Sequence, residues 1–364
     1  MVANTIRSLD DLDVVVDADA HVTETVEDLL PYVDESYSGA KKIITNAATP
    51  QTEIYSNTMA TPGFANRAYD TRSLNDKLDE LSRFGLDGGL LGPTLNLNIA
   101  TIDNTQIAIA LANAYNRWSL DTFLDDATNL KGNILVAPHD PERAADEIDR
   151  WAHEDGMAGV YLPDSGVVPP LGHEQYEPIY RTASKHDLPV VIHASMPATS
   201  FAFPTQRRWN ETYAEEHTIA HPFTHMWNLT TMLLRGVPER YPDLTFVIQE
   251  AGIAWIPYLV WRLDDHYLEF ADELPYLDRL PGKYVDEQFY FTTQPVGHTA
   301  RNGEHLAWAI EMTGPESVLF SADIPHKDFD PPEALFNRIR GYFDDETTAA
   351  IMGETACELF GLEL

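Results

Sequence analysis

Eight short apolar runs, each followed by a longer stretch of helical periodicity, constrain the fold of this chain more than any other feature. The runs are "DVVVDAD" (13–19), "GGLLGPT" (88–94), "NILVAPH" (133–139), "AGVYLP" (158–163), "PVVIHAS" (189–195), "LTFVIQEAG" (244–252), "FYFTTQP" (289–295) and "SVLFSAD" (317–323). Near-continuous Val, Ile and Leu suit strands buried on both faces, and a helix after each strand implies parallel crossovers. Helical stretches are expected at 73–84, 104–127, 141–155, 174–186, 223–240, 256–271, 303–313, 331–341 and 345–360. Pro141 after Asp140, and Pro331 and Pro332 after Asp330, suit capped first turns. Eight β-then-α units predict an α/β protein, a (β/α)8 TIM barrel forming a single domain over 1–364. A doubly wound open sheet is the alternative, and it needs no eighth strand.

Two connections are long for their position. One runs from 23 to 72 after the first strand, and the other from 196 to 222 after the fifth, rich in Phe, Trp, Arg and His. In a barrel both rise from the C-terminal face and would form lid and pocket walls.

The polar residues within the runs fall at one end of them. Strand one ends in Asp19 and His21, strand three in His139, strand five in His193, strand six in Glu250 and strand eight in Asp323. Residues two apart on a strand face the same side, so Asp17, Asp19 and His21 are expected to project together. Burying two acids and an imidazole is unfavourable unless a cation offsets it. Asp19, His21, His193 and Asp323 supply the nitrogen and oxygen donors that zinc and manganese accept, in the number a catalytic site with an open position uses. Asp17, lower on the strand, is expected to hold a backbone or outer donor instead.

Charge narrows the partners. The chain carries 58 Asp plus Glu against 24 Lys plus Arg, a formal net charge of -34. Such a surface repels nucleic acid and anionic lipid, so a small molecule is the expected partner. The acids are spread along the chain, while 44% of the residues are hydrophobic. A folded core under a carboxylate coat is the composition expected of a halophilic archaeal cytoplasm. At molar salt the Debye length is about 3 Å, and self-repulsion nearly vanishes. Dialysis into low salt is therefore expected to unfold the protein, as followed by far-ultraviolet circular dichroism; unchanged spectra would point to an ordinary acidic protein.

Cys357 is the only cysteine, which rules out an internal disulfide and suits a reducing cytosol. The N-terminal "MVANTIRSLDDLD" lacks an apolar export signal, and no apolar stretch approaches the roughly 18 residues of a membrane span. A cytoplasmic location is expected. The aromatic stripe "AWIPYLVWRL" (254–263) reads as a helix face packed on the barrel.

These strand-end residues sit in segments that resemble the amidohydrolase-related family, in the branch typified by aminocarboxymuconate-semialdehyde decarboxylase and the resorcylate and vanillate-type decarboxylases. The resemblance runs from "VDADAHV" through "YPDLTFVIQEAGIAWIPYLVWRLDDHY" (241–267) to "VLFSADIPHKD" (318–328), with "FTTQP" similar to the strand-seven segment of many members. It implies one divalent metal in the mouth of a (β/α)8 barrel, zinc or alternatively manganese, and a homodimer. Asp19-Ala20-His21 stands where the family has two ligands separated by one residue, and a carboxylate in the first place tilts slightly toward manganese. His193 matches the strand-five ligand, and Asp323 the strand-eight aspartate that touches the metal and exchanges protons. One position departs: the family's decarboxylases carry a histidine at the end of strand six, where this chain has Glu250.

A carboxylate there is better at taking a proton from water than at protonating carbon. The expected activity is accordingly a mononuclear metal-dependent hydrolase of an amide, lactone or ester, with metal-activated water as nucleophile and Asp323 as general base. Glu250 is either catalytic or structural. His225 or His326 would polarise the carbonyl; the alternatives are a helix-start histidine outside the pocket and a loop residue packed on Pro325. His139 is a candidate substrate contact. The alternative enzyme is a nonoxidative decarboxylase of an aromatic or enoic acid using the same ligands, with Arg207 and Arg208 as candidate partners of the substrate carboxylate. A barrel that binds without turnover is a further alternative.

Overall fold

The eight apolar runs become eight parallel strands in sequential order, β1 (Val16–Val22), β2 (Gly88–Pro93), β3 (Leu130–Leu135), β4 (Met157–Pro163), β5 (Val190–His193), β6 (Phe246–Gln249), β7 (Phe289–Thr292) and β8 (Val318–Leu319). This is a computed structural model, and it describes residues 5–46, 71–125, 127, 129–195, 212–297, 303–326 and 329–364. Each strand pairs with the next, and the two edges meet: Ala18 N donates to Phe320 O at 3.1 Å and His21 N to Ile324 O at 2.8 Å. The sheet therefore curls into a nearly closed (β/α)8 barrel, and the open-sheet alternative is excluded.

Helices between the strands cover the outside. They include Leu74–Arg83, Thr105–Ser119, Pro141–Trp151, Glu177–Lys185, Tyr213–Leu234, Ile256–Glu269 and Glu304–Thr313. Strand side chains fill both faces with little exposure, and aromatic pairs such as Phe246 and Phe289, stacked at 4.8 Å between centroids, lie within this core. Each fully buried residue of this type contributes about 1.5–3 kcal/mol relative to an exposed one.

Several boundaries differ from expectation, each for a local reason. The helix after β5 begins at Tyr213 rather than 223, because Thr212 and Glu215 form a reciprocal capping box that starts it. Pro222 lies inside that helix and does not open it. The stretch expected as one helix over 345–360 is broken at Gly353, where an added Cβ would lie 2.9 Å from Val14 O and 3.0 Å from Val16 N. Only a glycine lets this segment lie directly against the start of β1. Helices at Ser38–Asn46 and Pro281–Gln288 were not expected. The stripe at 254–263 is split: Ile256, Leu259 and Leu263 pack inward, while Tyr258 and Trp261 are exposed. No helix among the described residues is long and apolar enough to cross a membrane.

The register of β1 shifts relative to β2 between Asp17 and Ala20, so that three steps along β1 match two along β2. A bulge of this kind re-aims side chains at a barrel rim. It interrupts the simple alternation that would set Asp17 on the same side as Asp19. The Asp17 carboxylate accepts from Asp19 N at 3.0 Å and Ala322 N at 2.8 Å, joining β1 to the segment after β8 between the backbone bonds at Ala18 and His21.

Candidate metal centre

Strand ends carry four buried donors into one place. Asp19 and His21 lie on β1, His193 ends β5, and Asp323 follows β8; one donor atom of each lies within 4.8 Å of all the others. His21 Nε2 is 3.4 Å from Asp19 Oδ1 and 3.2 Å from Asp323 Oδ1, and His193 Nε2 is 3.2 Å from both Asp19 Oδ1 and His21 Nε2.

The outer face of each imidazole fixes what its inner face can do. His21 Nδ1 lies 2.8 Å from Pro93 O, and His193 Nδ1 lies 2.6 Å from Ala194 O. A carbonyl only accepts, so each Nδ1 carries the proton and, in the neutral ring, each Nε2 presents a bare lone pair. Two nitrogen and two carboxylate lone pairs then converge without a proton between them. Asp19 Oδ2, also buried, has no hydrogen-bond partner among the described residues. Such a convergence is unfavourable in a buried site unless a cation occupies it, so the residues fit a divalent metal. Burial opposes ionisation of Asp19, and only positive charge facing it, on His193 and His21 when those rings are protonated, holds its carboxyl below the usual carboxylate range; with the rings neutral, a cation takes that part. Asp17 behaves oppositely: burial pushes it up to about 6 against the pull of its backbone donors.

Of three acids with left-handed backbone among the described residues, Asp187, Glu250 and Asp323, the last two lie at this site. Glu250 has φ 58° and Asp323 φ 61°, both left-handed. Outside glycine this conformation costs about 1–3 kcal/mol and collects at functional sites. Here it turns the chain sharply at the ends of β6 and β8. Glu250 Oε2 lies 3.6 Å from His193 Nδ1 and its Oε1 3.8 Å from His221 Nδ1. His326 Nδ1 lies 2.6 Å from Asp323 Oδ1, its ring stands 4.1 Å from that of His21, and its Nε2 is 3.3 Å from Thr94 Oγ1. Burial pushes His326 and His221 well below the usual histidine range, favouring their neutral forms.

Other sequence candidates fall elsewhere. His225 is not at a helix start after a long loop but just past the middle of Tyr213–Leu234, with Nε2 2.8 Å from Gln249 O and 3.9 Å from Asp164 Oδ2. His139 is half-buried beside Ala100 and Ile102, and burial lowers its pKa; it does not belong to the four-donor group. Arg207 and Arg208 lie outside the described residues.

Asp164 was missed. It directly follows β4, donates its backbone N–H to His193 O at 2.8 Å and accepts from Ser195 N at 2.9 Å, and burial pushes it up to about 7. The signal was in "YLPD", an acid at a strand end like the others. Tyr161, from β4, stacks on His193 at 5.5 Å; an aromatic within an apolar run carries no comparable signal.

The profile of a family described as amidohydrolase matches residues 16–362. A γ-resorcylate decarboxylase from Polaromonas sp. is 26% identical over 272 residues, covering 71% of this chain and 79% of the relative. The crystal structure of 5-carboxyvanillate decarboxylase from Sphingomonas paucimobilis superposes with a TM-score of 0.72 at 21% identity, over 96% of this chain and 99% of the other. A dihydroxybenzoic acid decarboxylase from Polaromonas sp., solved with bound manganese and the inhibitor 2-nitroresorcinol, gives 0.71 at 19% identity over 96% and 98%. These findings correct the expectation of a hydrolase, since the relatives are decarboxylases. That expectation leaned on Glu250 as a water-activating base, and the relatives outweigh one side chain.

Proposed function

The chain belongs to the amidohydrolase family, an enzyme family, and from that premise we propose that it is a metal-dependent nonoxidative decarboxylase of an aromatic or enoic carboxylic acid. The single observation that carries the reading is the buried four-donor group in which Asp323 is also hydrogen-bonded to His326. The decarboxylase relatives support it. Asp19, His21 and His193 would hold the cation, with Asp323 at its edge. Two carboxylates among four donors favour manganese over zinc. When bound, the cation supplies positive charge that fixes the substrate carboxylate with an adjacent oxygen.

The remaining chemistry belongs to the chain. The bond between the substrate carbon and its carboxylate breaks, carbon dioxide leaves, and the electron pair stays on carbon. Asp323, protonated, places its proton on that carbon, and the overall exchange of carbon dioxide for a proton needs no oxidant. His326 orients the Asp323 carboxyl through its Nδ1 and is itself anchored by Thr94. Tyr161 and the buried strand ends exclude water, which would otherwise compete for the proton. Arg207 and Arg208 have the chemistry to pair with a further substrate carboxylate.

The test is a panel of hydroxybenzoates, lactones and amides supplied to manganese-loaded protein. Carbon dioxide release from at least one hydroxybenzoate, with an equal yield of the decarboxylated phenol, is the expected result. Acid release from a lactone or amide, with no carbon dioxide from any carboxylic acid, would overturn the reading.

A further inference from the structure

Beside the four-donor group stands a second set of donors that the decarboxylase reading does not use. His217 and His221 are one helical turn apart on Tyr213–Leu234, at the i, i+4 spacing that puts two imidazoles on one face, and their ring centroids are 4.7 Å apart. Glu250 reaches them from the end of β6. One donor atom from each of the three lies within 4.8 Å of the others, with His221 and Glu250 buried and His217 half-buried.

The contact between His221 Nδ1 and Glu250 Oε1, at 3.8 Å, is too long for a hydrogen bond and leaves room for something between them. Glu250 also has an oxygen within 4.8 Å of donor atoms of Asp323 and His326.

We propose that His217, His221 and Glu250 form a second divalent-cation site, adjacent to the first and joined to it through Glu250. Two imidazoles at i, i+4 and one carboxylate, with a position left open, make a donor set that suits zinc. The first site, with two carboxylates, is the harder of the pair, so the two differ in metal preference. A cation here offers a second anchor for an anionic substrate group at the barrel mouth. It also accounts for the departure at strand six: Glu250 serves as a ligand shared between a helix and the strand end. The proposal stands apart from decarboxylation, because it concerns binding and is read without turnover.

The experiment is equilibrium dialysis of the chelator-treated full-length protein with zinc in about molar potassium chloride, where surface carboxylates are screened. Two equivalents per chain are expected for the wild type, and one for His217→Ala and for Glu250→Gln. His21→Ala should lose the other equivalent and keep this one. His217 is half-buried, so its replacement tests the site with little disturbance of the core, and a circular dichroism melt verifies folding. Saturation of the wild type at one equivalent overturns the proposal whatever the variants do. So does retention of two equivalents by folded His217→Ala.

Discussion

Alanine at His21 or His193 leaves the four-donor site unable to retain its cation and lowers turnover by more than about 100-fold, the upper range for loss of a mere outer partner of a metal site. The size of the effect follows from what remains. Without His21, Asp19 Oδ1 and Asp323 Oδ1, each within 3.4 Å of the lost nitrogen, lose the neutral donor that completes the cation site between them. Breaking a buried charged group by removing one partner typically costs about 3–5 kcal/mol. Chelation of the wild type acts in the same direction. At free metal one hundred times Kd, bound cation adds about 2.7 kcal/mol to stability, so its removal should lower the melting temperature by several degrees. Metal analysis after gel filtration, beside a thermal melt, checks both effects. Stoichiometric metal at the four-donor site in both alanine variants would show that the ligands lie elsewhere.

The barrel was legible because its signal is repeated eight times. A run such as "VVIHAS" is ambiguous alone, but eight at regular spacing with helical stretches between leave few topologies. The four-donor group was legible for a related reason: polar residues at the ends of apolar runs stand out against their neighbours, and sequential parallel strands bring all those ends to one rim. Asp164 obeys the same rule. It was overlooked because the run was closed at Pro163, where β4 does end, and the acid stands one residue beyond it. The bulge in β1 was not legible, since no residue type in "DADAH" announces it, and it separates the role of Asp17 from that of Asp19. Nor was the pairing of His217 with Glu250, because it depends on where a helix begins. The helix was expected from 223, whereas the capping box at Thr212 set its start ten residues earlier. Reaction type was the least legible. Hydrolysis and decarboxylation draw on the same cation and the same Asp323, and differ in whether the proton is taken from water or given to carbon.

Asp323→Asn separates those roles, and it is expected to lower kcat by about 10²–10⁴-fold, the usual contribution of a positioned general acid. The substitution is nearly isosteric. Asparagine tolerates the left-handed backbone at φ 61° about as readily as aspartate, so the chain after β8 keeps its course. Its amide oxygen can still face His21 Nε2 and the cation, as the carboxylate oxygen does at 3.2 Å. What it cannot do is carry a transferable proton. Metal content and melting temperature should therefore stay near wild-type values while turnover falls, a split that loss of a purely structural residue would not produce. Asp323→Glu restores the proton but moves the carboxyl by one methylene, and it should keep metal binding while regaining only part of the rate. In heavy water, the wild-type product should carry one deuterium at the carbon that lost carbon dioxide, delivered from this position. A kcat for Asp323→Asn within about tenfold of wild type would place the acid elsewhere, with His326, 2.6 Å from Asp323, as the next group in line.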